Sequence, residues 1–141
     1  MNNQIKLEKI TYNRESENFE ARVSGIGNTF TLELLDFEEG DGDAASALAH
    51  DICNWLQSGY PAAKEFCAAK LLDLKNEDWL QEEEEPLSKE KFIQTIELEG
   101  ITAFSDGSFE LYFADNDIFW GHTILVDVDS DYVMTDANLA G

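Results

Sequence analysis

His122 lies between Gly121 and Thr123 and beside Trp120, with Asp115 and Asp117 a few residues upstream. An imidazole with carboxylates close by is what a general base or a metal ligand requires. Asp127, Asp129 and Asp131 carry the one-three-five spacing of a calcium loop, in which a short stretch of backbone presents successive carboxylates. The match ends there. Position six is Tyr132 where that loop turns on Gly, and position twelve is Asn138 where it needs a bidentate Glu. If this segment is a strand, alternation puts the three side chains together on a solvent face. His50 and His122 are the only histidines, and the chain has no Gly-rich phosphate loop, no Gly-x-Ser-x-Gly elbow and no His-Glu-x-x-His. Cys53 and Cys67 have neither zinc-site spacing nor enough company for a disulfide framework, so reduced, buried thiols are expected. No cofactor, metal or catalytic residue is assigned.

An internal repeat weakens the case for His122. Ile5-Lys6-Leu7-Glu8-Lys9-Ile10-Thr11 answers Ile96-Glu97-Leu98-Glu99-Gly100-Ile101-Thr102, and Phe19-Glu20 answers Phe109-Glu110. Further on, Gly27-Asn28-Thr29-Phe30-Thr31-Leu32-Glu33-Leu34 answers Gly121-His122-Thr123-Ile124-Leu125-Val126-Asp127-Val128. One β-unit is used twice, and the counterpart of His122 is Asn28. Asn and His both hydrogen-bond nearby backbone from a tight turn, yet replace each other poorly as base or ligand. Gly27, Asn28, Gly121 and His122 are therefore read as structural turn residues. Residues found in one copy alone, chiefly 115–120 and 129–132, are not demanded by the shared unit, and function is expected there.

The elements that must position these residues follow from periodicity. Ile5 and Leu7, then Phe19, Ala21 and Val23, then Phe30, Leu32 and Leu34 alternate with polar neighbours, as antiparallel strands with one wet face do. Beyond a flexible acidic loop, with Asp43 as N-cap, Ala45, Leu48, Ala49, Ile52 and Leu56 repeat at helical spacing. Gly59 and Pro61 suggest that this helix stops and a second begins, with a stripe of Ala63, Phe66, Cys67, Leu71 and Leu74. Glu82-Glu83-Glu84-Glu85-Pro86 reads as a solvated linker, and Leu87, Ser88 and Phe92 as a hydrophobic staple around an N-cap. Asp106-Gly107 is the clearest hairpin turn. The expectation is a single α+β domain over residues 1–141. It runs from a β-meander at about 4–36, through two to three short helices at about 43–80 and a linker at 81–87, to a second β-meander at about 95–139. The helices cover one face of the sheet.

At 141 residues and 43% hydrophobic content the chain can bury about 68–70% of its unfolded surface. Its formal charge is −21, and no Lys or Arg follows Lys91 or falls between Val23 and Ala63. Such a field repels nucleic acid and anionic membrane and attracts basic proteins or cations. With no apolar run of membrane-spanning length, and with Met1-Asn2-Asn3-Gln4 unlike a secretory signal, a cytoplasmic protein is expected.

Phe119-Trp120-Gly121-His122-Thr123-Ile124-Leu125-Val126, then Asp127-Val128-Asp129 and the closing Ala137-Asn138-Leu139-Ala140-Gly141, resemble the C-terminal signature of the bacterial domain of unknown function 2262 family. Leu87-Ser88-Lys89-Glu90-Lys91-Phe92 and Ser105-Asp106-Gly107-Ser108-Phe109-Glu110 are similar to it as well. The resemblance implies no reaction, substrate or catalytic residue. From charge and aromatics, the leading expectation is a non-enzymatic acidic protein that binds a basic partner, such as an immunity protein neutralising a toxin or nuclease. Asp115, Asp117, Phe119, Trp120, Asp127, Asp129, Asp131 and Tyr132 are the expected contact residues. The alternatives are a divalent-cation module using the Asp-rich loops and a small hydrolase built on His122.

Overall fold

Period-two alternation becomes the two faces of one eight-stranded sheet in a computed structural model that describes residues 5–140. The strand start expected at residue 4, residues 1–4 and the closing Gly141 lie outside the described residues. The strands are β1 (Lys6–Leu7), β2 (Thr11–Asn13), β3 (Asn18–Ser24), β4 (Phe30–Leu35), β5 (Glu97–Phe104), β6 (Phe109–Ala114), β7 (Thr123–Val128) and β8 (Met134–Ala140). Between β4 and β5 run α1 (Gly42–Asp78), entered through a 3-10 turn at Glu39–Asp41, and α2 (Lys89–Thr95). The spatial order is β1-β3-β4-β5-β6-β7-β8, with β2 beside β1 on β3. Every pairing is antiparallel except β4 with β5, where the helices provide the long crossover that a parallel pair requires. The α+β architecture expected from the sequence is the one found.

The repeat persists in the hydrogen-bond register. Phe19 faces Leu34, Ala21 faces Leu32 and Val23 faces Phe30 in the first copy. Phe109 faces Val128, Leu111 faces Val126 and Phe113 faces Ile124 in the second. The irregularity is copied too. Leu7 to Thr11 lies opposite Val23 to Glu20, and Leu98 to Thr102 opposite Phe113 to Glu110, one extra residue each time. A one-residue bulge flips the alternation. Leu7 and Leu98 therefore point to the core, while Thr11 and Thr102 pair with the outward Glu20 and Glu110. The two units lie side by side in one sheet, joined at Leu32 and Ile101.

α1 differs from the expected pair of short helices: it is one helix of 37 residues. Ala45, Ala49, Ile52, Leu56, Gly59, Ala63, Cys67 and Leu71 are all buried at steps of three and four, and the stripe keeps its phase through Pro61. Burial of a continuous stripe outweighs the ~3 kcal/mol that an interior proline costs. Gly59 is no C-cap. A Cβ there would lie 2.3 Å from the Trp55 ring, so Gly59 is the gap into which Trp55 lies, edge-on to Phe109 at 5.2 Å. The helix begins at Gly42 with Asp41 as N-cap rather than at the expected Asp43. Ser88 caps α2 as expected, its hydroxyl accepting from Lys91 N–H, and Leu87 and Phe92 both pack into the core.

The acidic run after α1 is not wholly solvated. Lys75 is 1% exposed, and its Nζ donates to the Trp79 carbonyl and to both Glu84 carboxylate oxygens at 3.0 and 3.1 Å. The Gln81 N–H and then Lys75 hold the Glu84 carboxyl below the usual range. Asn76 clamps the far end of the run, donating to Leu87 O and accepting from Leu87 N–H.

Candidate functional site

The residues singled out from the sequence do not form one site. β7 stands between 115–122 and 129–133, and its six residues separate them by about 20 Å. At the first end, Asp115 is 4% exposed and its carboxylate organises the whole β6–β7 loop. Oδ1 accepts from Asp117 N–H at 3.1 Å, and Oδ2 accepts from the N–H groups of Phe119, Gly121 and His122 at 2.8, 3.0 and 3.2 Å. Phe119 is fully buried against Trp79 and Phe92. Asp115 and Phe119, expected as contact residues, are thus unavailable to a partner: one is consumed by the loop, the other by the core.

Four residues of this loop have left-handed backbone: Asn116 (φ 48°), Asp117 (72°), Trp120 (59°) and Gly121 (91°). In the shorter loop of the first copy, the left-handed positions, Gly25 and Gly27, are both glycine. His122 Nδ1–H donates to the Phe119 carbonyl at 2.7 Å, and its ring stands edge-on to Trp79 at 5.1 Å. Among the described residues no carboxylate or nucleophilic side chain is hydrogen-bonded to the imidazole. Asn28, its counterpart, reaches across the repeat: its Nδ2 donates to Glu97 Oε2, while Asn116 Nδ2 donates to Glu97 Oε1. Glu97 so ties the two loops together.

At the other end, Asp129 Oδ1 accepts from Asp131 and Val133 N–H and closes the β7–β8 turn. Tyr132, at φ 65°, is half-buried and stacks on Trp55 at 5.9 Å. Asp131 is exposed on this turn. The three aspartates do not share a strand face: Asp127 is in β7 and the other two are in the turn. Among the described residues, no three His, Cys, Asp or Glu side chains are grouped to hold a metal ion.

A larger feature was hidden from the sequence. Residues directly opposite one another form a single row across seven strands: Thr11, Glu20, Glu33, Thr102, Glu110, Asp127 and Asp136. At the usual strand spacing the row is about 29 Å long. It lies on the sheet face opposite α1, since Phe19, Ala21, Leu32, Leu34, Ala103, Phe109, Val126 and Ala137, which alternate with it, are buried. Glu20 faces Glu33, and Asp127 faces both Glu110 and Asp136; like charges directly opposite are destabilising. Partial burial, then Glu110 and Asp136, push the Asp127 carboxyl above its ordinary range. Over the parallel junction the face dips into a groove of about 510 Å³ lined by Glu20, Thr31, Glu33, Glu99, Gly100, Ile101, Thr102 and Tyr112. Gly100 leaves it open by lacking a side chain, and Tyr112 O–H donates to Glu110 at its rim. Alternation pointed to Glu20, Glu33 and Asp127 as outward, but only the register shows that the five carboxylates align.

A family described as an uncharacterized protein conserved in bacteria, DUF2262, matches residues 5–139. The chain belongs to this family. Comparison with curated proteins and with solved structures found no match. The DUF2262 match spans both β-units, so it takes in the N-terminal half of the acidic row as well as the 119–129 signature. That signature divides into parts with distinct structural positions: the loop carrying Trp120 and His122, then β7, which contributes Ile124, Val126 and Val128 to the core and Asp127 to the row.

Proposed function

We propose that this DUF2262 protein is a non-enzymatic acidic binding protein that engages a basic protein across its open sheet face, as an immunity protein masks a basic toxin or nuclease. The observation that carries the reading is the row of five carboxylates, Glu20, Glu33, Glu110, Asp127 and Asp136, aligned against their own repulsion. A cationic surface laid along the row relieves that repulsion and is drawn to it from solution. The groove at Gly100 offers Glu20, Glu33 and Glu99 to one inserted cation. Lys6, Lys9 and Arg22 stand at the β1–β3 end of the sheet, where Lys9 and Arg22 line a pocket with Glu20, and the strands from β4 to β8 carry no Lys or Arg. The same charge disfavours nucleic acid and anionic membrane, and no described helix is long and apolar enough to cross a membrane. Two free, buried thiols suit a reducing cytoplasm.

The test is affinity capture from the native cell, using the wild type and a variant with Glu20→Gln, Glu33→Gln, Glu110→Gln and Asp127→Asn, read by mass spectrometry. A basic protein held by the wild type and released by the neutralised face is expected. Equal capture by both forms, or capture of acidic proteins alone, refutes the proposal.

A further inference from the structure

We infer that Trp120 is a preorganised anchor for an arginine side chain of a protein partner, its indole receiving the flat guanidinium and Asp117 its charge. This rests on the reading of the partner as basic, and it adds a second point of contact. Trp79, the C-cap of α1, packs against Trp120, which places Trp120 at the end of the sheet near the helix layer rather than on the open face. Trp120 is 53% exposed and, with Val133, is one of two large hydrophobic side chains left exposed among the described residues. Its φ of 59° is a conformation that a bulky residue rarely adopts, and its counterpart in the first copy, Ile26, is not among the residues with left-handed backbone. The Asp115 carboxylate imposes that conformation by gripping the N–H groups on either side, at Phe119 and Gly121.

Trp79 meets the indole at 4.8 Å and 62°, which holds the ring against the end of α1 while about half of the residue stays exposed. A tryptophan held in this way loses little further freedom on binding, the property of an interface hot spot. The sheet itself does not need the feature, because the equivalent loop of the first copy is built without an aromatic ring. The charge points to the occupant. Asp117 is exposed and starts the turn that Trp120 closes, Trp120 N–H donating to Asp117 O, and no Lys or Arg follows Lys91 in the chain. Guanidinium stacks on indole faces and pairs with carboxylates more readily than ammonium does.

Isotope-labelled protein would be titrated with blocked tetra-arginine and tetra-lysine peptides, following the indole N–H of Trp120 and the backbone amides of β3 to β8. Tetra-arginine should shift the Trp120 indole, and Trp120→Ala should weaken its binding by ~3- to 30-fold while weakening tetra-lysine less. Asp117→Asn, which keeps a residue tolerant of left-handed backbone, should also weaken tetra-arginine. Movement of the open-face amides with an unmoved Trp120 indole overturns the anchor and leaves the acidic-face reading standing. Equal losses for the two peptides in Trp120→Ala overturn it as well. No binding by either peptide removes both readings.

Discussion

Replacing Asp115 by Ala isolates the group on which the β6–β7 loop depends. The substitution removes the acceptor of four N–H groups at once. Phe119 N–H is enclosed with its fully buried residue and finds no water, so its loss costs about 2 kcal/mol. The N–H groups of Asp117, Gly121 and His122 lie in residues with some access to solvent, which reduces each to roughly 0.5–1 kcal/mol. The sum is ~4 kcal/mol, a large share of the 5–15 kcal/mol that stabilises a typical domain. With an unfolding entropy near 0.3 kcal/mol/K for a chain of this size, Tm should fall by about 13 °C. Differential scanning calorimetry of Asp115→Ala beside Asp117→Ala is the assay. Asp117 contributes no side-chain hydrogen bond to the loop among the described residues, so its change should shift Tm by only a few degrees. A fall of less than about 3 °C for Asp115→Ala would show that the left-handed turns hold without the carboxylate.

Gly59→Ala should destabilise by about 1–3 kcal/mol in urea unfolding, reversing the usual helix preference, because its Cβ would strike the Trp55 ring. Pro61→Ala should stabilise by about 1 kcal/mol or more, since it restores an N–H inside a continuous helix; destabilisation would favour a real break there. Gly100→Val should be accepted by the fold, its Cβ lying 3.8 Å from Thr31 O, and should stabilise by roughly 0.5 kcal/mol while filling the groove and reducing capture of a basic partner. Burial pushes the Cys53 thiol up to about 11 and Cys67 up to about 12, so Ellman's reagent at pH 8 should label neither before unfolding. Asp127 binds its proton more tightly folded than unfolded, so its contribution falls as pH rises from its ordinary 3.8 through the raised value. Asp127→Asn should raise Tm at pH 7 and flatten that part of the Tm–pH curve.

Alternation made the strands, the inward residues and the repeat legible, because a period of two needs only local sequence. Ser88 and Asp106-Gly107 were legible for the same reason: a cap and a hairpin turn are local devices. Gly59 and Pro61 misled because their local preference is to end a helix, whereas a buried stripe in unbroken phase overrides it. Asp115 looked like a surface carboxylate, since its partners are backbone N–H groups that have no signature in a sequence. The acidic row was invisible because Glu20, Glu33, Glu110, Asp127 and Asp136 are distant in the chain and become neighbours only through register.

The register also changes what the repeat says about function. Features unique to the second copy were the natural place to look, on the ground that anything shared serves the scaffold. That holds for inward positions such as Phe19 and Phe109, where any stable sheet needs apolar bulk. It fails for outward ones. Thr11, Glu20 and Glu33 occupy the same register positions as Thr102, Glu110 and Asp127, so the sequence places a carboxylate opposite a carboxylate twice. No sheet requires this, and directly opposed like charges cost up to roughly 1 kcal/mol relative to a neutral pair. An outward threonine or an opposite charge would be better for the scaffold at every one of these positions. A pattern that recurs in both copies although the fold would be more stable without it calls for a cause outside the fold. The cationic partner proposed above would supply one if it spanned both units, since each unit would then need its own stretch of the row.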